Sequence, residues 1–137
     1  MKLVFDTNVI IAGIVAEGLC RELLEVHVPA HEAVLSDALF EELVETLRAK
    51  FDLAAEELPI VQLYRRHARR VEIQELERPV CRDRDDDRVL ATALAGEVAA
   101  IVTGDSDLLT LGSWKGIERL TPRQFLERHT KPTEAPG

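Results

Sequence analysis

The amino-acid sequence predicts an α/β fold, in which a central parallel sheet of about five strands is flanked by helices on both faces. Short apolar runs alternate along the chain with segments that carry apolar residues at helical spacing. The runs at residues 2–6 and 99–103 are apolar at nearly every position, which is typical of strands buried on both faces. The length of 137 residues suits one domain, expected over residues 1–129, followed by a flexible C-terminal tail at residues 130–137.

Five apolar runs are short enough to be strands, and the one at residues 99–103 is the clearest. The first run leads directly into Asp6, and the fourth leads into Asp105 two residues after it ends. In a parallel sheet the functional crevice lies at the carboxyl ends of the strands, where the strand order reverses. The predicted strands are residues 2–6, 32–36, 71–73, 99–103 and 117–120.

Helices are predicted between these strands from apolar periodicity and from capping residues. Ser36 is a suitable N-cap for the helix after the second strand, and Pro59 marks a start or a kink in the next one. Gly96 is predicted to follow the end of its helix, and Thr121 with Pro122 is predicted to open the last one. The predicted helical segments are residues 8–16, 18–26, 37–50, 54–70, 87–96, 104–111 and those after 121.

Composition restricts the class of protein. The chain has 17 basic and 25 acidic residues and a net charge of −8, so its surface as a whole repels nucleic acid unless cations intervene. Two cysteines without a CxxC motif and the lack of a secretory leader favour a reduced, cytoplasmic setting. No apolar stretch is long enough to span a membrane, so we expect no membrane partner.

Acidic residues concentrate at places where a site is expected. Asp6 and Asp105 follow buried strands, although each alone could serve as a helix cap. Carboxylates also crowd residues 83–87, where dipole stabilisation of a helix would need only one or two of them. A bound Mg²⁺ or Mn²⁺ ion, which prefers oxygen ligands, resolves their mutual repulsion. Glu41 and Glu42 border the apolar stripe of the helix over residues 37–50, and geometry does not choose between them.

Other residues carry weaker signals. The four histidines show no metal-ligand spacing and are interpreted as surface or structural residues, and Cys20 has no evident histidine partner. A haloacid-dehalogenase-like phosphotransferase needs a second Asp where Asn8 stands. The alternatives to an enzyme are a phospho-receiver-like module and a non-catalytic interaction protein with an acidic metal-binding pocket. The receiver needs an early acidic pair, which is absent, and a lysine after a late strand, whereas Lys115 lies before the fifth predicted strand. The histidines are His27, His31, His67 and His129.

Four segments in order resemble the motifs of PIN-domain ribonucleases, and most closely the VapC-like toxin components of bacterial and archaeal toxin–antitoxin systems. The likeness extends from Lys2 to about Phe125. Each motif alone is weak, but four at these spacings form a specific pattern. The segments are Asp6-Thr-Asn-Val9, residues 36–47 with their Glu-Leu pair, residues 81–93 and residues 101–109.

The resemblance assigns roles residue by residue. It implies that Asp6, Glu42, Asp87 and Asp105 are the catalytic acids, and it thereby selects Glu42 over Glu41. Asp6, Asp87, Asp105 and Asp107 are the implied metal ligands. The run from Asp85 to Asp87 leaves the third ligand open. Accessory roles fall to Thr7, Asn8, Thr103 and Asp86, and substrate contacts fall to Arg84 and Arg88 unless these arginines pair with the neighbouring acids.

The same resemblance implies a three-layer PIN-like fold and a metal-dependent endoribonuclease that uses one or two Mg²⁺ or Mn²⁺ ions. It implies RNA as the substrate, with products that carry a 5′-phosphate and a 3′-hydroxyl. It further implies a homodimer, a cognate antitoxin as partner, and the role of toxin in a type II toxin–antitoxin system.

Overall fold

A computed structural model of the protein describes residues 1–129. Its five strands form one sheet in the order β3-β2-β1-β4-β5, and every neighbouring pair is parallel. Leu3 of the central strand aligns with Ala33 on one side and with Ala100 on the other. The expected tail at residues 130–137 lies outside the described residues. The strands are β1 (Lys2–Phe5), β2 (Glu32–Ser36), β3 (Arg69–Val71), β4 (Ala100–Val102) and β5 (Glu118–Leu120).

Within residues 1–129, seven helices flank this sheet, so the predicted three-layer α/β fold is confirmed. A π-helical turn over Leu23–His27 and a 3₁₀ turn over Val28–Ala30 extend the second helix towards β2. A third short turn, Ala55–Glu57, precedes the fourth helix. The helices are α1 (Thr7–Val15), α2 (Leu19–Glu22), α3 (Asp37–Phe51), α4 (Pro59–His67), α5 (Arg84–Gly96), α6 (Ser106–Leu109) and α7 (Pro122–His129).

The central strands are buried because helices cover both faces of the sheet. Val4 of β1 and Ile101 of β4 have no exposed surface, and Phe5 meets Phe125 of α7 edge to face with ring centroids 6.2 Å apart. Removing these side chains from water supplies the main free energy that holds the sheet and the helices together.

Several helix boundaries differ from the predicted ones. Helix α4 begins at Pro59, because proline lacks the amide hydrogen that an interior position would need. It ends at His67, which lets β3 begin at Arg69 rather than at Val71. Helix α5 begins three residues earlier than predicted, because the Asp83 carboxylate accepts a hydrogen bond from the Asp85 amide and caps it. The predicted caps Ser36 and Thr121 both accept hydrogen bonds from helix amides.

Gly96 has a different role from the one predicted. It is the last residue of α5, and the left-handed position that ends the helix belongs to Glu97, with φ 51°. A Cβ atom at Gly96 would lie 2.5 Å from Cγ1 of Val34 in β2. The glycine therefore permits close packing of α5 on the sheet.

Candidate active site

The strand order reverses between β1 and β4, which lie side by side at the centre of the sheet. The chain leaves β1 through Asp6 and leaves β4 through Thr103 and Asp105, so both exits open on the same carboxyl edge. The Asp6 amide donates a hydrogen bond of 2.9 Å to the carbonyl of Val102, which holds the two exits together. This position is where parallel α/β sheets place their functional crevices.

Asp6 is held rigidly at this edge. Its side chain is buried, and Oδ2 accepts a 2.7 Å hydrogen bond from the hydroxyl of Thr103, while Oδ1 accepts a longer one, 3.4 Å, from the Asn8 amide. Burial raises the pKa of the Asp6 carboxyl, the Thr103 hydrogen bond opposes that rise, and the nearby charge of Asp105 adds to it. Thr103 also accepts a 3.0 Å hydrogen bond from the Asp105 amide, so one hydroxyl orients both acids.

Three carboxylates converge beside Asp6. One oxygen from each of Asp86, Asp105 and Asp107 lies within 4.8 Å of the other two, and we call this set the acidic cluster. Asp105 caps the short helix α6 by accepting a 2.7 Å hydrogen bond from the Asp107 amide, which fixes the spacing of these two residues. Asp86 reaches the cluster from the first turn of α5.

The acidic cluster is electrostatically unfavourable when it holds no cation. Asp86 is only 7% exposed, and burial raises the pKa of its carboxyl to about 7, with further contributions from the charges of Asp105 and Asp6. A divalent cation removes this repulsion, and a set of carboxylate oxygens is the donor chemistry that Mg²⁺ and Mn²⁺ prefer. The residues therefore fit a divalent metal ion.

Glu42 borders the site from α3. Oε1 of Glu42 accepts a 2.8 Å hydrogen bond from the hydroxyl of Thr7, the first residue of α1. Burial raises the pKa of the Glu42 carboxyl, the Thr7 hydrogen bond opposes that rise, and the charges of Asp85 and Asp6 add to it. Glu41 is exposed on the same helix, so Glu42 is the glutamate that the structure directs towards this edge.

Asp87 lies outside the acidic cluster. Its carboxylate accepts hydrogen bonds from the amides of Val80, at 3.2 Å to each oxygen, and of Cys81, at 2.8 Å. The side chain therefore anchors the loop before α5, and the structure brings Asp86 to the cluster in its place. Asp87 was assigned as a metal ligand by motif resemblance, and this placement does not support that role.

Helical periodicity in the sequence could have identified Asp86 as a residue of the site. With α5 beginning at Arg84, Asp86 lies three and four residues before Val89 and Leu90, on the stripe of the helix that faces the core. The predicted start at Asp87 left Asp86 in a loop, where this periodicity could not be applied.

The arginines of this segment divide into two kinds. Arg82 donates a 2.9 Å hydrogen bond to Oδ1 of Asp107 in the acidic cluster, and Arg88 pairs at 3.1 Å with Asp85. Arg84 is exposed and makes no ion pair with any residue of the 1–129 range that the structure describes. Asn8 is also exposed, and it contributes its backbone amide, not its side chain, to Asp6.

The histidines are less scattered than their sequence positions indicate. His27, His31 and His129 surround the ring of Phe125 at the opposite edge of the sheet, where β2 begins and α7 ends. Their rings take no part in the acidic cluster. Cys20 and Cys81 are free thiols.

Comparison with protein families agrees with this geometry. The model of the PIN domain matches residues 2–107, which is most of the chain. The chain therefore belongs to the PIN-domain family. Members of this family are generally metal-dependent nucleases that bind divalent ions through acidic residues, and an acidic cluster of this kind is present here. No curated protein matches the sequence. Within residues 1–129, no helix has the length and apolar character needed to cross a membrane.

Proposed function

We propose that this protein is a metal-dependent endoribonuclease that hydrolyses RNA phosphodiester bonds with one or two Mg²⁺ or Mn²⁺ ions. The observation that carries the proposal is the convergence of Asp86, Asp105 and Asp107 at the reversal point of a PIN-domain sheet. An oxygen-only set of three carboxylates suits a hard divalent cation and excludes the thiolate and imidazole chemistry of a typical zinc site.

In this proposal Asp86, Asp105 and Asp107 hold the ion, and Asp86 takes the place assigned by resemblance to Asp87. A bound divalent ion lowers the pKa of water and neutralises charge on the phosphate. Asp6, which the resemblance assigns as a metal ligand, lies outside the three-residue cluster but near Asp105, and Glu42 lies near Asp6. In this proposal these two carboxylates orient the attacking water and accept its proton. Thr103 and Thr7 keep these two acids in place through their hydroxyl groups.

The biological role that we propose rests on the likeness of the four sequence motifs to VapC-like proteins. In this role the protein is the cytoplasmic toxin of a type II toxin–antitoxin system, acts as a homodimer and is held inactive by a small antitoxin. Cleavage then leaves a 5′-phosphate and a 3′-hydroxyl. Size-exclusion chromatography with light scattering tests the dimer, because a monomeric mass across the working concentration range contradicts it.

The test of the activity is cleavage of end-labelled single-stranded RNA in Mn²⁺, in Mg²⁺ and in EDTA. We expect wild-type protein to cut in either metal and not in EDTA, and Asp6→Asn and Asp105→Asn to lose at least about 100-fold in rate. Equal cutting by wild type and both variants would identify a contaminant and overturn the proposal. Failure to cut with saturable Mn²⁺ binding would favour the non-catalytic protein with a metal-binding pocket, and failure to cut without such binding would favour an interaction protein whose acids bind no metal.

Two neighbouring residues of α5 provide a matched pair. Asp86→Asn removes a carboxylate from the acidic cluster, whereas Asp87→Asn removes the same charge one residue away and keeps an oxygen acceptor for the loop amides. We expect Asp86→Asn to lose at least about 100-fold in rate and Asp87→Asn less than about tenfold. If Asp87→Asn instead lost more cleavage activity than Asp86→Asn, Asp87 would be the third metal ligand.

A further inference from the structure

A groove of about 700 Å³ runs between the loop over residues 73–82 and helix α5, and Arg82, which lines it, also contacts Asp107 of the acidic cluster. Its wall combines side chains from both elements, including Leu76, Pro79 and Ala91. Four arginines line it, and we call it the arginine groove. They are Arg78, Arg82, Arg84 and Arg88.

The charge of the arginine groove is opposite to that of the protein as a whole. Against four arginines, the acidic residues that line it are Glu75 and Asp87, and the Asp87 carboxylate is already engaged by the loop amides. The protein has a net charge of −8, and a neighbouring groove along α3 has an acidic excess. The charged residues that line that second groove are Glu41, Glu42, Glu45, Asp85, Lys50 and Arg88.

Two of the four arginines are free to bind an external anion. Arg78 and Arg84 are exposed, and neither forms an ion pair with another residue of the described part of the chain. Arg84 is the first residue of α5, where the helix dipole disfavours a cation, so its position gives no benefit to the helix. Uncompensated guanidinium groups in a groove are suited to phosphate oxygens, which they can bind in a bidentate manner.

Arg82 connects the arginine groove to the acidic cluster. Its side chain is 88% exposed, and it lines the groove while its guanidinium contacts Asp107. A phosphate bound at the groove end nearest the cluster would therefore compete with Asp107 for the same guanidinium. A cation at the cluster would weaken the hold of Asp107 on Arg82, because both cations would share one carboxylate.

We infer that the arginine groove binds the phosphate backbone of single-stranded RNA on one side of the scissile phosphate, with Arg82 as a positioning residue at the groove end. This inference rests on the proposed nuclease function and adds the path of the substrate. Within the described residues no aromatic side chain lines this groove, and Trp114 lines an adjoining groove that shares Leu76 and Arg78 with it. The four guanidinium groups therefore favour recognition through phosphates in the arginine groove itself. A protein with an acidic surface thereby confines its attraction for RNA to one side of the site.

The binding test uses a fluorescein-labelled single-stranded RNA of about twelve nucleotides and fluorescence anisotropy in EDTA, where no cleavage occurs. Arg78→Gln/Arg84→Gln is compared with Arg48→Gln/Arg66→Gln, which makes the same change in net charge. Arg48 and Arg66 are exposed on α3 and α4, and neither lines the groove. A single-stranded DNA of the same sequence shows whether the groove distinguishes the two backbones.

We expect the groove variant to weaken RNA binding at least about fivefold and to reduce the slope of log Kd against log salt by about 0.7 for each lost phosphate contact. The control variant is expected to remain within about twofold of wild type. Equal weakening by both variants would mean a general charge effect and would overturn the inference, as would an unchanged groove variant. Tighter binding of DNA than of RNA would overturn RNA as the occupant.

The positioning role of Arg82 is tested by steady-state cleavage kinetics in Mn²⁺. Arg82→Gln is expected to raise KM at least about fivefold with kcat within about twofold, and Arg82→Lys should recover part of the loss. A loss confined to kcat would contradict a positioning role. Binding in EDTA that depends on the groove arginines, without any cleavage in metal, would reject the nuclease proposal and keep the RNA groove, so the two failures are distinguishable.

Discussion

Ionisable side chains gather at both edges of the sheet, and the two edges differ in how their charge can be relieved. At the carboxyl edge, the acidic cluster holds carboxylates close together, and the pKa of Asp86 is raised to about 7. At the other edge, Nδ1 of His31 and Nε2 of His129 are buried with no hydrogen-bond partner within the described residues. Burial lowers the pKa of both imidazoles, and the neighbouring positive charges lower it further.

This difference between the two edges indicates which of them needs a bound ion. A histidine becomes neutral by losing a proton near neutral pH, so the histidine edge relieves its own repulsion. At the acidic edge, protonation of Asp86, whose pKa is raised to about 7, removes one negative charge, whereas a bound cation offsets the charges of all three carboxylates. The acidic edge is therefore the one that needs a cation from solution to relieve its charge repulsion.

The largest expected effect is stabilisation of the acidic edge by metal. Mn²⁺ at a hundredfold excess over its Kd should raise the free energy of unfolding of the wild type by about 2.7 kcal/mol, because the folded protein alone holds the site together. Urea unfolding at about pH 8 with Mn²⁺ or EDTA measures this gain. Asp105→Asn should lose most of it and His129→Phe should keep it. If His129→Phe also lost the stabilisation by Mn²⁺, the metal would bind at the histidine edge and not at the acidic cluster.

Thr103→Val tests the hydroxyl that orients the acids. Thr103 is fully buried and bonds both Asp6 and the Asp105 amide, so the valine variant should lower the free energy of unfolding by about 2 kcal/mol. Thr110 offers a control, because its hydroxyl also forms a hydrogen bond but the residue is exposed. Thr110→Val should cost less than about 0.5 kcal/mol, and equal losses would show that the buried hydroxyl has no special role.

Asp86→Asn should stabilise the metal-free protein. The pKa of Asp86 is raised from 3.8 to about 7 in the folded state, so the folded protein loses stability as the pH rises through this interval. We expect Asp86→Asn in EDTA to gain about 1–2 kcal/mol at pH 8 and almost nothing near pH 4. Asp87→Asn should show no such gain, since its carboxylate accepts loop amides. A loss of stability in Asp86→Asn at pH 8 would contradict the repulsion.

The smallest expected effect concerns the histidine edge. Because the pKa of His129 is lowered in the folded state, its contribution to stability is complete above the ordinary value of 6.5 and is lost as the pH falls below it. His129→Phe should flatten this acid-side loss by less than about 1 kcal/mol. His67→Gln is the control in the same urea series, because it replaces an exposed imidazole and keeps a side-chain donor for the carbonyl of His31, 2.9 Å from Nε2 of His67. If the free energy of unfolding depended on pH in His129→Phe as it does in the wild type, the histidine edge would not titrate as proposed.

Much of the architecture could be predicted because it depends on local patterns. The alternation of apolar runs with helical periodicity predicted a parallel sheet covered by helices, and the structure confirms it. The position of Asp6 and Asp105 after two buried strands predicted that they would lie together, and Thr103 now joins them. The family resemblance is confirmed at the level of the PIN domain.

Helix phase limited the prediction of the site. Whether Asp86 or Asp87 faces the acidic cluster depends on where α5 starts, since one residue turns a side chain by about 100° around the helix axis. The Asp83 cap sets that start, and it competes with other acids of the same run. A sequence with four possible caps in five positions does not identify the one that is used.

The sequence by itself determined the class of fold, the edge of the sheet at which carboxylates would gather and the oxygen-rich chemistry of that edge. These properties follow from the composition and spacing of residues that are close in the chain. The tertiary structure alone decided that Asp86 joins Asp105 and Asp107, that the arginines of the 78–88 segment line one groove, and that His27, His31 and His129 meet around Phe125. Each of these depends on packing between elements distant in the chain or on a helix start that local patterns leave undecided.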